Sequence, residues 1–147
     1  MNKTLIDGKV LRVFDANTNR LTEGLRVCED VARFILSDKE TTRRFKSLRH
    51  KTFSAVRSLG VDKKLLTKFR DSEGDIGKSD FLSEKNRATV EDIFKANVKR
   101  SEEAMRVLEE FSKLSCERPV NRFKKMRFEL YSLEKKIIKK LQSLRDT

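Results

Sequence analysis

Two stretches of the chain, 80 residues apart, carry nearly the same residue pattern. Residues 16–30 read ANTNRLTEGLRVCED and residues 96–110 read ANVKRSEEAMRVLEE, so seven of fifteen positions are identical. RFKSLRHKTFS at 44–54 then aligns with RFKKMRFELYS at 122–132, with five of eleven identical. Chance similarity between charged helices is the alternative, but the matches include Asn, Phe and Ser and continue across a loop. The pattern therefore indicates a duplicated unit, which constrains the fold strongly.

Each copy predicts a helical hairpin, because its apolar residues recur with the helical period. The first helix is expected from about Arg12 to Ile35, with a core-facing row of Leu21, Leu25, Cys28, Val31, Ala32 and Ile35. Ser37-Asp38 is the expected N-cap of a second helix that runs to about Leu59, and Gly60 is its expected C-cap. Its core-facing row is Phe45, Leu48, Thr52, Ala55 and Leu59.

The two hairpins are joined by a connector, predicted at residues 60–88. It holds a short helix at about Lys63 to Arg70 and a long Gly-containing loop at 71–88. A capping-box pattern from Thr89 to Asp92 opens the fourth helix, expected to end near Leu114, and Pro119 suits the first turn of a fifth that ends near Leu144. No alternating run requires a sheet. The prediction is a single all-α domain over 1–147, a bundle of two pseudo-twofold-related hairpins (repeats 15–59 and 95–141).

Composition narrows the class of protein. Of 147 residues, 37% are apolar and 39% charged, with five Gly and one Pro, which excludes collagen-like and Pro-rich chains. No apolar run is long enough to span a membrane and the first residues do not read as a secretory signal, so a cytoplasmic protein without a membrane partner is expected. The net charge of +12 favours anionic partners. Residues 118–145 hold ten Lys or Arg against two Glu; this face could be solvated, bind nucleic acid or contact a partner helix.

Polar residues repeat near the apolar faces. Asn17 lies at the centre of its face with Arg20 beside it and small Gly24 following, and the second copy repeats this with Asn97, Arg100 and Ala104. Arg49 and Arg127 occupy matching positions on the second helices, so the pseudo-twofold is expected to gather these Asn and Arg side chains in the interior. One interpretation is a structural polar layer in which Glu23 and Glu103 pair with Arg20 and Arg100. The other is that surplus arginines bind a phosphorylated ligand. Arg26, Glu29, Asp30 and Arg33 are expected to form surface pairs.

The connector adds candidate ligands. Arg70, Asp71 and Asp75 surround Gly74 and Gly77 in the sequence RDSEGDIG. The two aspartates could hold Mg²⁺ beside a polyphosphate, or serve only in a solvated turn. Arg87 is a further phosphate candidate. His50 is expected on the surface, Cys28 in the core, and nothing marks Cys116 as a nucleophile.

Several of these segments resemble a known family. DANTNRLTEGLRV, RDSEGDIG and the second A-N-x-x-R-x-x-E resemble the helical domain often fused ahead of bacterial thiamine phosphate synthase, described as a monofunctional hydroxymethylpyrimidine phosphate kinase. The resemblance covers roughly residues 10–136. It implies transfer of the ATP γ-phosphoryl group to 4-amino-5-hydroxymethyl-2-methylpyrimidine phosphate, with ATP and Mg²⁺ as cofactors. The sequence carries no synthase domain, so the expectation is that it acts alone or with a separate thiamine phosphate synthase as a partner. Cys28 stands where the family usually has Leu, which is a change in packing.

Under this hypothesis the site residues take the following roles. Glu23 or Glu103, with Asp15 as a substitute, would orient or deprotonate the attacking hydroxymethyl group, and Asn17 and Asn97 would bond the aminopyrimidine edge. Asp71 and Asp75 would hold the metal. The phosphates would meet Arg20, Arg49, Arg70, Arg87, Arg100 and Arg127. Two other functions stay open, a non-catalytic module that binds a phosphorylated ligand and a basic nucleic-acid-binding bundle. Nucleic acid is not the expected partner, because the repeated arginines are predicted to point inward; a homodimer stays open.

Overall fold

The computed structural model describes residues 7–61, 63–78, 86–115 and 120–146, and this part of the chain is all-α, as predicted. Four long helices form the bundle: α1 (Gly8–Asp30), α2 (Lys39–Arg57), α4 (Val90–Ser112) and α5 (Val120–Arg145). A short helix, α3 (Lys63–Lys68), lies in the connector. Helix α1 packs on α4 at the centre of the bundle, and each contacts the second helix of its own hairpin.

The repeat accounts for the core. The phenylalanines Phe14, Phe45, Phe94 and Phe123 are fully buried, one on each long helix. Phe14 and Phe94 are equivalent in the repeat, as are Phe45 and Phe123, so the duplication places one large ring per helix at the centre. The rings of Phe45 and Phe94 meet edge to face with centroids 6.3 Å apart, a favourable aromatic geometry. The expected pairing of two related hairpins is confirmed.

Helices α1 and α4 approach closely at Gly24. A Cβ atom on this glycine would lie 2.2 Å from Ser101 Oγ and 2.8 Å from the backbone oxygen of Asn97. Ser101 Oγ also donates a buried hydrogen bond to the backbone oxygen of Leu21, at 3.2 Å. Leu21 and Ser101 are equivalent in the repeat, so the two copies meet near their own symmetry-related positions. The small residue at 24 therefore makes room for the partner helix rather than for a ligand.

Helix boundaries differ from the prediction where local geometry intervenes. Helix α1 begins at Gly8, before the predicted Arg12, because the Asp7 side chain accepts a hydrogen bond from Val10 N and caps the helix. At its other end, residues Val31–Ile35 form a π-helical turn in which Leu36 N bonds to Val31 O. The wider turn rotates Ile35 outward, and its 48% exposure shows that the inward prediction for Ile35 is wrong.

The other helix ends largely follow the sequence signals. Asp38 caps α2 by accepting from Thr41 N, and Thr89 and Asp92 form the predicted capping box of α4. Gly60 has a positive φ of 79° two residues after the C-cap Ser58, where glycine carries no Cβ penalty. Pro119, Cys116 and the 79–85 part of the predicted loop lie outside the described residues.

Helices α2 and α5 run antiparallel on one side of the bundle. Arg122 of α5 bonds Ser54 near the end of α2, at 3.0 Å, whereas Lys136 pairs with Glu40 near its start, at 3.2 Å. His50 is exposed and Cys28 is buried, as expected, and burial raises the pKa of the Cys28 thiol far above its ordinary range. No helix in the described ranges has the length and apolar character needed to cross a lipid bilayer.

Candidate functional site

An open cleft of about 780 Å³ lies along the first half of α1. The start of the loop that follows α3 forms one wall, and Arg100 of α4 reaches it from the second repeat. Its lining is strongly polar. The charged and amide side chains on it are Lys9, Arg12, Asp15, Asn17, Asn19, Arg20, Glu23, Arg70, Asp71, Asp75 and Arg100. The structure thus brings eight of the predicted site residues together, all except Arg49, Arg87, Asn97, Glu103 and Arg127.

A two-point attachment holds the loop against α1. The buried carboxylate of Asp15 accepts two hydrogen bonds from Arg70, one from Nε at 2.6 Å and one from a terminal nitrogen. Asn19 Nδ2 donates to the same carboxylate at 3.4 Å. One residue before Arg70, the ring of Phe69 lies where a Cβ on Gly8 would stand, 2.9 Å away. The bidentate ion pair and the ring contact together fix where the loop crosses α1.

The loop presents two carboxylates to the cleft. Asp71 Oδ1 accepts from Gly74 N and Asp75 Oδ1 accepts from Gly77 N, both at 2.8 Å. A Cβ on Gly74 would lie 2.3 Å from Asp71 Oδ2, so this tight turn depends on glycine. Each aspartate keeps a second oxygen that no donor among the described residues bonds. Within those residues no group of three His, Cys, Asp or Glu gathers, so they alone offer no complete metal cage.

Two carboxylates nevertheless fit Mg²⁺, because this ion usually takes one or two from the protein and fills its other positions with water and substrate phosphates. Asp71 and Asp75 would be its protein ligands.

Four cations in the cleft are available to an anion. Lys9, Arg12, Arg20 and Arg100 are exposed and form no ion pair with the carboxylates of the described chain. Arg20 makes only a long hydrogen bond of 3.5 Å to Asn17 Oδ1. The interpretation in which Glu23 and Glu103 pair with Arg20 and Arg100, one of the two that the sequence left open, is therefore not what the structure shows. The predicted interior position of these arginines is also wrong, because their long side chains reach the open cleft.

The repeated asparagines have a structural bond in common. Asn17 Nδ2 donates to Val13 O at 2.9 Å, and Asn97 Nδ2 donates to Ile93 O at 2.8 Å, each to its own helix four residues back. Asn17 is buried at the floor of the cleft, and its Oδ1 remains an acceptor there. Asn97 lies outside the lining, against Gly24, so only the first copy presents its amide to the cleft.

Arg49 and Arg127 serve the hairpins instead of the cleft. Arg49 donates to the buried Glu29 Oε2 at 3.1 Å, and Arg127 donates to the equivalent Glu109 Oε2 at 3.0 Å. Each pair ties the two helices of one hairpin together. The expectation that Arg49 and Arg127 point into a shared interior with Arg20 and Arg100 is wrong, as is the surface assignment of Glu29. The polar layer that the sequence left open does exist, but these buried pairs form it.

Two further candidates stand apart from the cleft. Glu103 is exposed on α4 and does not line it. Arg87 is exposed beyond the loop, where its guanidinium donates to Asn86 O at 2.9 Å.

Sequence reasoning missed four polar residues of the lining: Lys9, Arg12, Asn19 and Ser72. A signal for two of them existed, because Lys9 and Arg12 continue the helical spacing backwards from Ala16 and Arg20. For Lys9 the spacing could not be used, because the predicted helix begins only at Arg12, whereas Arg12 itself lies inside the predicted helix. Asn19 and Ser72 carried no such signal, since their places depend on how the loop docks on α1.

Comparisons with known proteins cover most of the chain. The chain is 35% identical to a thiamine-phosphate synthase of Rhodopirellula baltica over 136 residues, which are 92% of this chain and 36% of that protein. It is 34% identical to a thiamine-phosphate synthase of Nostoc punctiforme, covering 92% of this chain and 37% of the relative. A third relative of the same name, from a Nostoc species, is 37% identical over 85% of this chain and 34% of its own length. The chain thus spans little more than a third of these relatives.

No solved structure is significantly similar to the chain. The ThiD2 family, in contrast, matches residues 12–136, which include most of α1, all of α2 to α4, most of α5 and every described residue of the cleft except Lys9. The chain belongs to the ThiD2 family.

Proposed function

We propose that the chain is a kinase of thiamine biosynthesis that transfers the γ-phosphoryl group of ATP to 4-amino-5-hydroxymethyl-2-methylpyrimidine phosphate. One observation carries the proposal. Four cations that have no carboxylate partner among the described residues, Lys9, Arg12, Arg20 and Arg100, surround one cleft into which Asp71 and Asp75 also project. Its volume of about 780 Å³ is in the range of small-molecule sites, roughly 300–1,000 Å³.

Phosphoryl transfer depends on neutralising and positioning charge more than on covalent chemistry, and arginines suit that task. Arg20 and Arg100 would bind phosphate oxygens from two sides of the cleft, one from each repeat. Bound Mg²⁺ would screen the negative charge of the phosphate groups. Arg70 stays in its ion pair with Asp15 and acts by holding the loop, so Asp15 is a positioning residue in this scheme.

The acceptor chemistry changes one role expected from the sequence. In the monophosphate substrate the hydroxymethyl oxygen is already esterified, so the attacking atom is an oxygen of its phosphate. This oxygen is deprotonated at neutral pH because the second pKa of a phosphate monoester is about 6. The new bond joins it to the γ-phosphorus while the bond from that phosphorus to the ADP oxygen breaks. No general base is needed. Glu23 and Asn17 Oδ1 instead suit the exocyclic amine of the pyrimidine as acceptors.

The test is incubation of the protein with Mg-ATP and the pyrimidine monophosphate, followed by mass spectrometry for the diphosphate. We expect diphosphate and ADP in equal amounts. Arg20→Ala and Arg100→Ala are expected to lower kcat/KM by roughly ten- to a hundredfold, since each removes a charge from the phosphate site. Arg43→Ala, an exposed arginine on α2 outside the cleft, is the matched control and should keep full turnover.

Circular dichroism checks that each variant folds. Unchanged turnover in a folded Arg20→Ala or Arg100→Ala variant would remove that residue from the site. Binding of the pyrimidine phosphate without ADP formation would support the non-catalytic module instead.

A further inference from the structure

One row of side chains on α2 points directly away from the core. It consists of Lys39, Arg43, Lys46, His50, Phe53 and Arg57, all exposed. Each of them precedes a buried residue by two positions. Because successive helical residues are turned by about 100°, two positions bring a side chain to nearly the opposite side of the helix. The row therefore faces away from α1 and α4.

Helix α5 carries a matching row, Lys124, Phe128, Tyr131, Lys135 and Lys139, also exposed and also two positions before buried residues. Since α2 and α5 pack side by side, the two rows lie on the same side of the bundle, with helix axes roughly 8–10 Å apart. We call these eleven residues the outer face. None of them lines the cleft.

The outer face carries one sign of charge. It holds seven Lys or Arg and no carboxylate, and within the described chain none of the seven is in an ion pair. The carboxylates of these helices are used elsewhere. Glu40 and Glu129 lie toward the seam between α2 and α5, where Lys136 pairs with Glu40 at 3.2 Å and Arg44 with Glu129 at 3.6 Å.

The opposite side of the bundle is different. On α4 the exposed charges are of both signs, and Arg106 pairs with Glu110 at 3.0 Å. A face that only kept the protein in solution would carry mixed charges like those of α4. The concentration of positive charge on the exposed sides of α2 and α5 therefore indicates an anionic partner.

The composition of the outer face identifies the class of partner. Lysine is depleted at protein–protein interfaces, whereas nucleic-acid interfaces are strongly positive. A second copy of this chain would bring the same positive face and be repelled. The exposed rings of Phe53 (44%) and Phe128 (54%) lie among the cations and offer stacking platforms, which single strands use and base-paired strands cannot reach.

We infer that the outer face binds single-stranded nucleic acid, with phosphates against the two rows of cations and bases against Phe53 and Phe128. Helix α2, at 19 residues, is about 28 Å long, enough for several nucleotides. The sequence pattern argues against a nucleic-acid partner because it predicts that the repeated arginines point inward. The outer face uses other residues and so does not depend on them.

The test is fluorescence anisotropy with the full chain and a labelled single-stranded RNA 20-mer, titrated from about 50 to 200 mM salt. We expect the logarithm of the binding constant to fall linearly with the logarithm of the salt concentration. The variant K46Q/K124Q/K135Q should reduce that slope by about 2, since a single strand releases about 0.7 counterion per neutralised phosphate. The variant F53A/F128A should weaken single-strand binding by tenfold or more, the scale expected for lost base stacking, and leave duplex binding unchanged.

The matched control is K64Q/K99Q/K113Q, which removes three exposed lysines away from the outer face. Equal losses of single-strand affinity in the two lysine variants would show that binding depends only on net charge, and this would overturn the inference. So would preference for the duplex, for poly-glutamate or for anionic lipid vesicles over the single strand. Because neither lysine variant touches the cleft, both should keep kinase turnover, which separates failure here from failure of the proposed function.

Discussion

Glu102 is a carboxyl group whose burial has a measurable consequence. It is 3% exposed on α4, and its Oε2 has no hydrogen-bond partner within the described part of the chain. Burial, followed by the neighbouring Glu134 carboxylate, raises the pKa of Glu102 from its ordinary 4.5 to about 7, while Lys99 acts in the opposite direction. The folded protein therefore holds this proton more tightly than the unfolded chain does.

The shift predicts how stability depends on pH. Because the folded protein favours the protonated form of Glu102, this carboxyl group contributes its full stability below about pH 4.5. That contribution to the free energy of unfolding is lost as the pH rises through about 7. Glu102→Gln should remove that dependence and raise the free energy of unfolding at about pH 8 by roughly 1–3 kcal/mol. Urea denaturation at about pH 5 and pH 8 measures it. Glu103→Gln, at the exposed neighbour, is the control; equal behaviour of both variants would contradict the prediction.

Gly24 sets the distance between α1 and α4. Gly24→Ala would place a Cβ 2.2 Å from Ser101 Oγ and 2.8 Å from a backbone oxygen, so the helices must separate. Overpacking of this kind costs about 1–3 kcal/mol, and the better helix propensity of Ala offsets up to about 1 kcal/mol. We expect a net loss of stability in thermal unfolding.

The double variant Gly24→Ala with Ser101→Ala separates the two contacts of this glycine. It should recover only part of the loss, since the backbone oxygen remains and the bond from Ser101 to Leu21 is gone. A stabilised Gly24→Ala protein would show that the helices can shift at no cost.

At the scale of elements, the loop after α3 is positioned by α1. Gly8→Ala would displace the Phe69 ring, and Asp15→Asn would remove the charge that holds Arg70. Both variants should release the loop, raise the initial rate of tryptic cleavage after Lys78 several-fold, and raise the Mg²⁺ concentration needed for half-maximal turnover. Glu73→Gln, an exposed loop residue, is the control.

Tryptic cleavage and the Mg²⁺ dependence of turnover test the prediction independently. The cleavage rate reports on the loop even if the chain is not a kinase. Normal cleavage in both Gly8→Ala and Asp15→Asn would mean that neither contact holds the loop in place. Faster cleavage with unchanged Mg²⁺ dependence would separate loop docking from metal binding.

At the scale of the whole molecule, each hairpin depends on the other. The buried face of α4 packs mainly against α1, so residues 86–147 alone would expose Phe94, Val98 and Met105. We expect this fragment to lose most of its helical circular dichroism and to regain it when mixed with residues 1–78, because the amphipathic face needs its partner. A fragment that stays fully helical alone would show two independent units.

The helices, their order and most of the core can be read from the amino-acid sequence alone. The helical apolar period predicts Leu21, Leu25, Phe45 and Leu48 inside, and all four are buried. Caps such as Asp38 and Thr89 are readable because they depend on neighbours three residues away. These features are local, or follow from helical periodicity, and so need no knowledge of which helices meet.

Which arginines are available to a ligand depends on contacts between helices, and these cannot be read from the sequence. Arg20 and Arg49 are both repeated in the second copy, so the sequence does not distinguish them. In the structure Arg49 pairs with Glu29 across the hairpin, whereas Arg20 lines the cleft. The outcome depends on interhelical distances and on where the loop docks through Asp15 and Arg70. Charge pairing across helices depends on residues that are far apart in the sequence. The helical period indicates the direction of a side chain but not which residue of another helix it contacts.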